Sequence, residues 1–232
     1  MKKILVLVMS LFSVQAFAID DPNALIRELN KRFSQVNDYT AHVRMTFDIP
    51  GVKMNTMNGK VFFKRPDRFR IRTKGIFFLP KQNPLQNMSA MLLDTSSYTS
   101  VISGYEVVKG KKCAIVNIIP LKNVNDLILG KFWIDIKNPL VLKTQITTKN
   151  NGTIETENVY VANSTFTLPD QIIIKLETKK IKISKMLAAD LNKKSKDTSK
   201  DNKLETGTIV LSFSDYKINT KFADSELEKT EE

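Results

Sequence analysis

The chain has 232 residues, of which 42% are apolar, and its 36 Lys and Arg outnumber 24 Asp and Glu to give a net charge of +12. This length is typical of a single domain that can bury a sizeable core. Because the sequence holds one His and one Cys, it excludes an internal disulfide and a His/Cys metal site.

The N-terminus has the pattern of a Sec signal peptide. Lys2 and Lys3 precede an apolar run over residues 4–12, which is too short to span a bilayer, and Ala16-Phe17-Ala18 fits the cleavage motif. We therefore expect a signal peptide at 1–18, one domain over 19–225, an acidic tail at 226–232 and a soluble periplasmic product. In that compartment a basic protein is expected to meet anionic membrane surfaces or acidic partners rather than nucleic acid.

One amphipathic helix is predicted over residues 22–36. Asp21 followed by Pro22 is typical of an N-cap with proline at the first helical position. The apolar residues that follow recur at helical spacing: Leu25, Ile26, Leu29, Phe33 and Val36. This apolar stripe must pack against another surface.

Beyond Asp38 the apolar period changes to two, which predicts strands. The predicted strands are 39–48, 56–64, 68–73, 105–108, 113–119, 130–136, 141–148, 153–161, 171–183 and 207–218. Residues 74–104 interrupt them, with a short Met-rich helix predicted at 85–93, and 185–205 is predicted to be a flexible polar loop. Many strands with two helices predict a mainly β fold: a curved antiparallel sheet forming an unclosed barrel, with the helices covering its concave face.

The sequence offers few residues for catalysis. A Ser-His-Asp or Cys-His arrangement would have to use His42, which alternates with Thr40 and Arg44 on the polar side of a strand. No carboxylates cluster at a fixed spacing and no glycine-rich phosphate loop is present. Cys113 lies in an alternating stretch and is interpreted as a buried apolar residue. We therefore expect a protein that is not an enzyme and needs no cofactor or metal.

The remaining feature is a surplus of large apolar residues on one sheet face. Two interpretations stay open: an ordinary core covered by the helices, or a cavity that takes up acyl chains when the helices shift. The residues predicted to line this face are Val43, Met45, Phe47, Val61, Phe63, Phe69, Ile71, Trp133 and Ile146.

Several motifs carry a resemblance to a known family. The helix, the strand DYTAHVRMTF and the segment GKVFFKRPDRFRIR together resemble periplasmic lipoprotein carriers of the LolA type. That family has a strand ending in (W/F)-x-(L/V/F)-K-R-P-x-x-F-(R/N), and residues 62–70 match the last nine positions of this motif. Three later segments are similar to further family motifs: SGYEVVKGKKCAIVNIIP, FWIDIKNPLVLKTQI and NSTFTLPDQIII.

The resemblance implies an unclosed β-barrel with a helical lid over an apolar cavity that carries lipoprotein acyl chains or other lipids toward the outer membrane. It implies that Arg65 of the Lys-Arg-Pro motif is the lid latch, hydrogen-bonding the lid and holding it closed. The residues assigned to the lid are Leu25, Leu29, Phe33, Met88, Met91 and Leu92. An inner-membrane exporter and an outer-membrane acceptor are the expected partners of a monomeric carrier.

Two interpretations of function follow from the resemblance. The first is the carrier, and the alternative is a non-catalytic periplasmic module of the same fold that senses lipoproteins and regulates a response. In either case we expect Arg68, Arg70 and Arg72 to form an outward-facing row near anionic headgroups or partner proteins.

Overall fold

The computed structural model describes residues 21–50, 54–66, 68–73, 92, 94–121, 127–149, 152–161, 166–177 and 206–228. The predicted signal peptide, the loop 185–205 and all of the predicted helix 85–93 except Leu92 lie outside these described residues. The same holds for the tail beyond residue 228.

The described residues form one α-helix followed by ten strands, and the predicted number of strands is confirmed. The helix α1 spans Pro22–Phe33. The strands are β1 Asp38–Asp48, β2 Met57–Lys64, β3 Arg68–Thr73, β4 Tyr98–Val108, β5 Lys111–Pro120, β6 Leu127–Asp135, β7 Val141–Thr148, β8 Gly152–Val159, β9 Gln171–Glu177 and β10 Thr206–Ile218. A short 3₁₀-helix, Asp224–Leu227, follows β10.

All ten strands belong to one antiparallel sheet in the order β3-β2-β1-β10-β9-β8-β7-β6-β5-β4. Strands that are consecutive in the chain pair with each other except for β3 and β4, and β10 pairs with both β1 and β9. The strands β3 and β4 are the edges, and within the described residues no pairing between them closes the sheet. The prediction of a mainly β fold with a curved, unclosed sheet is therefore confirmed.

The start of α1 follows the predicted capping pattern. The Asp21 carboxylate accepts a hydrogen bond from the Asn23 backbone N–H at 2.8 Å, and Pro22 occupies the first helical position. The helix ends at Phe33, three residues before the predicted end. The Val36 N–H donates to the Phe33 carbonyl at 3.1 Å, a contact between residues i and i+3 that tightens the chain into a turn.

The largest difference from the predicted strands is the start of β4. The sequence predicts a strand over 105–108, but β4 begins at Tyr98 and pairs with β5 along its length. The segment TSSYTSVIS is rich in Ser and Thr, so its apolar alternation is weak although its β-branched residues suit a strand. Pairing with the apolar strand β5 therefore determines the structure of this segment.

Candidate functional site

One face of the sheet is apolar across all ten strands, and we call it the helix-side face because α1 packs against it. Residues paired directly across neighbouring strands lie on the same face of the sheet. The strand pairs therefore show which residues belong to the helix-side face. Leu211 pairs with Met45 on one side and Ile172 on the other, and Ile146 pairs with Ile154. The apolar surface is therefore continuous from the β3 edge to the β4 edge.

The helix α1 covers one part of this face. Its buried side chains Leu25, Ile26 and Leu29 pack in one cluster with residues of β4 to β7. The members from these strands are Tyr98, Ala114, Val116, Ile118, Phe132, Ile134, Val141 and Ile146. The predicted contribution of Leu25 and Leu29 to a cover over the sheet thus agrees with where they lie, while their part in a moving lid stays a prediction.

Leu92 lies in the same cluster and is fixed by two hydrogen bonds to its carbonyl. The Asn30 side-chain amide of α1 donates to it at 2.6 Å, and the Tyr98 hydroxyl donates at 3.3 Å. Burial is the main cause that raises the pKa of Tyr98 to about 12, so its hydroxyl stays a neutral donor at physiological pH. Met88 and Met91, the other residues assigned to the second helix, lie outside the described residues.

A second cluster on the helix-side face consists of strand residues, and among the described residues no α1 side chain belongs to it. Its buried members are Val43, Met45, Val61, Ile154, Ile172, Ile174, Ile209 and Leu211. Phe47, Phe69 and Ile71 pack against it and are partly buried. Six of the residues predicted to line a cavity therefore meet in one cluster, and we call this cluster the apolar floor.

Phe63 and Trp133, which are also predicted to line the cavity, lie outside the apolar floor. Phe63 is on the helix-side face, where its ring lies 5.5 Å from the ring of Phe33 in α1, so it joins the end of the helix to the sheet. Trp133 points to the opposite face. It pairs with Ile115 and Lys143, whereas its neighbours Phe132 and Ile134 pack with the helix.

The placement of Trp133 corrects its assignment to the cavity. Its indole N–H donates to the Glu106 carboxylate at 2.6 Å, and the amines of Lys131 and Lys143 each lie 4.9 Å from its ring centroid. The run Phe132-Trp133-Ile134 is apolar at every position, so the alternation of the sequence does not tell which residue faces the helix.

Arg65 contacts the end of α1. Its Nη2 donates to the Phe33 carbonyl at 2.6 Å and its Nε donates to the Val36 carbonyl at 2.7 Å. The guanidinium carbon also lies 5.4 Å from the centroid of the Phe33 ring. The planar guanidinium can donate to several acceptors at once, and here it donates to one carbonyl at the end of α1 and to another three residues beyond it. This geometry is the one that the latch prediction requires, although the latch role itself stays a prediction.

The helix-side face also carries three buried polar residues that the sequence analysis did not single out. The hydroxyls of Thr144 and Thr156 lie 2.7 Å apart across β7 and β8, and Thr156 precedes Asn158 by two positions on the same face. All three residues are at most 7% exposed. The signal available in the sequence is that polar residues occupy inward positions of the alternation in LKTQITT and GTIETENV.

The opposite face of β2 and β3 carries the predicted basic row, and the chain's own C-terminus contacts it. Lys64 and Arg68 pair with Asp224, and Arg72 lies 3.2 Å from the Glu226 carboxylate. Arg72 also donates to the Ser225 and Glu226 carbonyls at 2.8 and 3.1 Å. We call residues 222–228 the C-terminal segment. The sequence predicts a tail beginning at Glu226, but this residue takes part in the contact.

His42 lies on the exposed side of β1, beside Ser214 and Asp215 of β10. Its ring lies 3.0 Å from the exposed Asp215 carboxylate, and the His42 side chain is 64% exposed, in agreement with the predicted polar side of the strand. Within the described ranges, no group of three or more His, Cys, Asp or Glu could hold a metal ion. No helix among the described residues is long and apolar enough to cross a membrane.

Comparisons with known proteins give evidence on the fold. No family model matches the sequence, and no curated protein matches it. A solved structure of a LolA superfamily protein from Nitrosomonas europaea is 12% identical, covers 91% of this chain and 99% of its own, and has a TM-score of 0.57.

Two further solved structures are similar over comparable lengths. A domain assigned to the outer membrane lipoprotein-sorting proteins of Vibrio parahaemolyticus is 10% identical, with 88% of this chain and 95% of its own covered, at a TM-score of 0.58. A DUF1329 family protein from Desulfovibrio piger is 14% identical, with 90% and 98% covered, at a TM-score of 0.54. Identities this low bear on the fold alone, and together with the ten-stranded unclosed sheet and its covering helix they show that this chain has a LolA-like fold.

Proposed function

We propose that this protein is a periplasmic carrier that binds acyl chains of lipoproteins or other lipids on the helix-side face and moves them toward the outer membrane. The observation that carries the proposal is the apolar floor. Eight buried aliphatic or thioether side chains from five strands meet there without a side chain of α1 among them. An acyl chain laid on such a surface gains about 0.8 kcal/mol for each buried CH₂ group.

The structure of the lid region supports uptake through movement of α1. The helix contacts the sheet through one apolar stripe, and Arg65 fixes its C-terminal end through two hydrogen bonds. A cover that depends on few directional contacts can shift without disturbing the strand pairing beneath it. In this proposal α1 and Leu92 belong to the lid, and Arg65 stabilises its closed position.

The location and partners belong to the same proposal. The signal-peptide pattern at 1–18 supports export, and two of the solved structures with this fold are assigned to the LolA superfamily and to the outer membrane lipoprotein-sorting proteins. A lipid taken up at one membrane needs a donor and an acceptor. We therefore propose an inner-membrane exporter and an outer-membrane acceptor as partners, and no catalytic step.

The test begins with lipid carried by the protein itself. Protein purified from a periplasmic extract without detergent would be analysed by native mass spectrometry and by lipid extraction. We expect co-purified lipid, and binding of a fluorescent fatty acid after delipidation. If no lipid co-purifies and the probe does not bind, the proposal is rejected.

A matched pair of variants tests whether the fluorescent fatty acid binds on the apolar floor. Val43 is 2% exposed on the helix-side face, while its neighbour Arg44 is exposed on the opposite face. Val43→Trp places a much larger side chain in the floor and is expected to weaken probe binding about tenfold. Arg44→Trp adds the same side chain on the outside and should leave the affinity unchanged, with circular dichroism confirming that both variants fold. Equal affinities in both variants would show that the probe binds elsewhere.

A further inference from the structure

The helix-side face contains a buried hydrogen-bond acceptor that has no partner. Asn158 is 7% exposed, and its side-chain oxygen Oδ1 receives no hydrogen bond from any described residue. Buried polar atoms are nearly always paired, because an unpaired one has lost its hydrogen bonds to water without gaining others. This oxygen therefore needs an explanation.

The orientation of the Asn158 amide is determined by its surroundings. Its nitrogen Nδ2 donates to the Val141 carbonyl at 2.8 Å, and the Tyr160 hydroxyl donates to the same carbonyl at 3.0 Å. A carbonyl oxygen only accepts, so turning the amide over would place two acceptors against each other. The unpaired atom is therefore the acceptor Oδ1, and its partner must be a donor.

The position of Asn158 places this acceptor beside the apolar floor. Asn158 pairs with Ile172, and Thr156 pairs with Ile174, both of which belong to the floor. Thr156 lies two residues before Asn158 in β8, and its hydroxyl contacts that of Thr144 in β7. The three residues thus form a polar stripe, defined as Thr144, Thr156 and Asn158, within the mainly apolar helix-side face.

We propose that this stripe recognises a hydrogen-bond donor carried by the acyl ligand, either a hydroxyl on the chain or the N–H of an amide linkage, which donates to Asn158 Oδ1. The inference rests on the proposed function and refines it, since it selects among lipids that all bury an acyl chain. A plain acyl chain leaves the oxygen unpaired when it excludes water from the site, whereas a hydroxylated or amide-linked chain satisfies it.

The test uses ligand pairs that differ by one donor. Displacement of a fluorescent fatty acid would give affinities for tetradecanoic acid and 3-hydroxytetradecanoic acid, and for N,N-dimethyltetradecanamide and N-methyltetradecanamide. We expect the member with the added donor to bind about tenfold more tightly in at least one pair, which corresponds to ~1.4 kcal/mol. The pair that shows the preference identifies the donor as a hydroxyl or an amide N–H.

Two variants with matched chemistry complete the test. Asn158→Leu removes the acceptor at similar volume and should abolish the preference, while the Tyr160 hydroxyl still pairs with the Val141 carbonyl. Asn117 has the other unpaired buried oxygen among the described residues, but it lies on the opposite face, paired with Val101 and Lys131. Asn117→Leu should therefore keep the preference.

The outcomes separate this inference from the proposed function. If no ligand of either pair binds, the carrier proposal fails and the inference fails with it. If all ligands bind and the wild-type protein shows no preference within either pair, the inference alone is overturned, even where Asn158→Leu does not fold. A preference that survives in Asn158→Leu would also overturn it.

Discussion

At the scale of single residues, Arg65 connects the helix to the sheet more directly than any apolar contact in the lid. Its guanidinium donates to the Phe33 and Val36 carbonyls, and its backbone N–H donates to the Asn37 carbonyl at 2.9 Å. Hydrogen bonds from a charged donor contribute about 1.5–3 kcal/mol. One side chain therefore accounts for much of the free energy that keeps the end of α1 in place.

Replacing Arg65 should loosen the lid. We expect Arg65→Leu to lower the free energy of unfolding by about 1–3 kcal/mol and to speed the release of a bound fluorescent fatty acid, measured by urea titration and stopped-flow fluorescence. Arg65→Lys keeps the charge without the planar fork and should give an intermediate release rate. Arg44→Leu, on the exposed face of β1, serves as the control. Release rates that do not change in Arg65→Leu would contradict the latch role.

Cys113 illustrates a buried residue whose chemistry follows from its surroundings. Its side chain is fully buried, and burial is the main cause that raises the pKa of its thiol to about 11. Only the thiolate reacts with alkylating reagents. The thiol should therefore resist iodoacetamide at pH 8 in the folded protein and react after unfolding in urea. Rapid labelling of the native protein at pH 8 would show that Cys113 is accessible.

The raised pKa of the Cys113 thiol makes the stability of the folded protein depend on pH. The unfolded chain loses the thiol proton at a lower pH than the folded chain, whose pKa is about 11. The contribution of the protonated thiol is fully present below the pKa of the unfolded chain and is lost as the pH rises through the folded value. In urea titrations between pH 8 and 11, we expect the wild-type protein to lose more stability with rising pH than Cys113→Ala. Parallel curves would contradict the assigned shift.

At the scale of elements, the contact between the C-terminal segment and β2–β3 changes the interpretation of the basic row. Lys64, Arg68 and Arg72 each pair with an acidic side chain of that segment, and the hydrogen bonds from Lys64 and Arg68 lower the pKa of Asp224. Phe222 also packs against Phe62, with ring centroids 5.5 Å apart. The two carboxylates thus offset part of the row's positive charge, although the sequence predicts that the row faces headgroups or partners.

Removing the two acidic charges should expose the row to anionic membranes. The double variant Asp224→Asn/Glu226→Gln keeps the shape of the C-terminal segment, and we expect its affinity for phosphatidylglycerol vesicles to rise about tenfold at low salt. The stability should change little, because exposed ion pairs contribute about 0–1 kcal/mol. The control Asp48→Asn/Glu28→Gln changes the net charge equally at exposed sites elsewhere. Equal vesicle binding by both doubles would show that net charge alone matters.

The elements that sequence reasoning predicted well are those in which every second residue is strongly apolar. The strand β1 is an example, because His42, Arg44 and Thr46 alternate with Val43 and Met45. Sequence periodicity could not assign Trp133 to a face, and although Thr156 and Asn158 occupy inward positions of an alternation, their polarity does not by itself indicate burial. Register and strand pairing determine those positions, and both depend on contacts between residues far apart in the chain.

At the scale of the whole molecule, the strands are held to one another by different interactions from those that hold α1 to the sheet. Each strand is joined to its neighbours by a full ladder of backbone hydrogen bonds, while α1 is held through its apolar stripe and a few side-chain contacts. Breaking local contacts of the helix costs less free energy than breaking a ladder. The proposed function therefore predicts that ligand entry requires α1 to move while the sheet stays intact.

A reversible cross-link tests this movement directly. The side chains of Asn23, at the start of α1, and Ser100, in β4, lie in contact, with their oxygen atoms 2.9 Å apart. In a Cys113→Ala background, Asn23→Cys and Ser100→Cys should form a disulfide that fixes the helix to the sheet. We expect the oxidised protein to take up a fluorescent fatty acid at least about tenfold more slowly than the reduced protein, because the helix can no longer move. The two single-cysteine variants should take up the probe at the same rate under both conditions. If the oxidised double variant loads as fast as the reduced one, the ligand reaches the apolar floor without displacement of the start of α1.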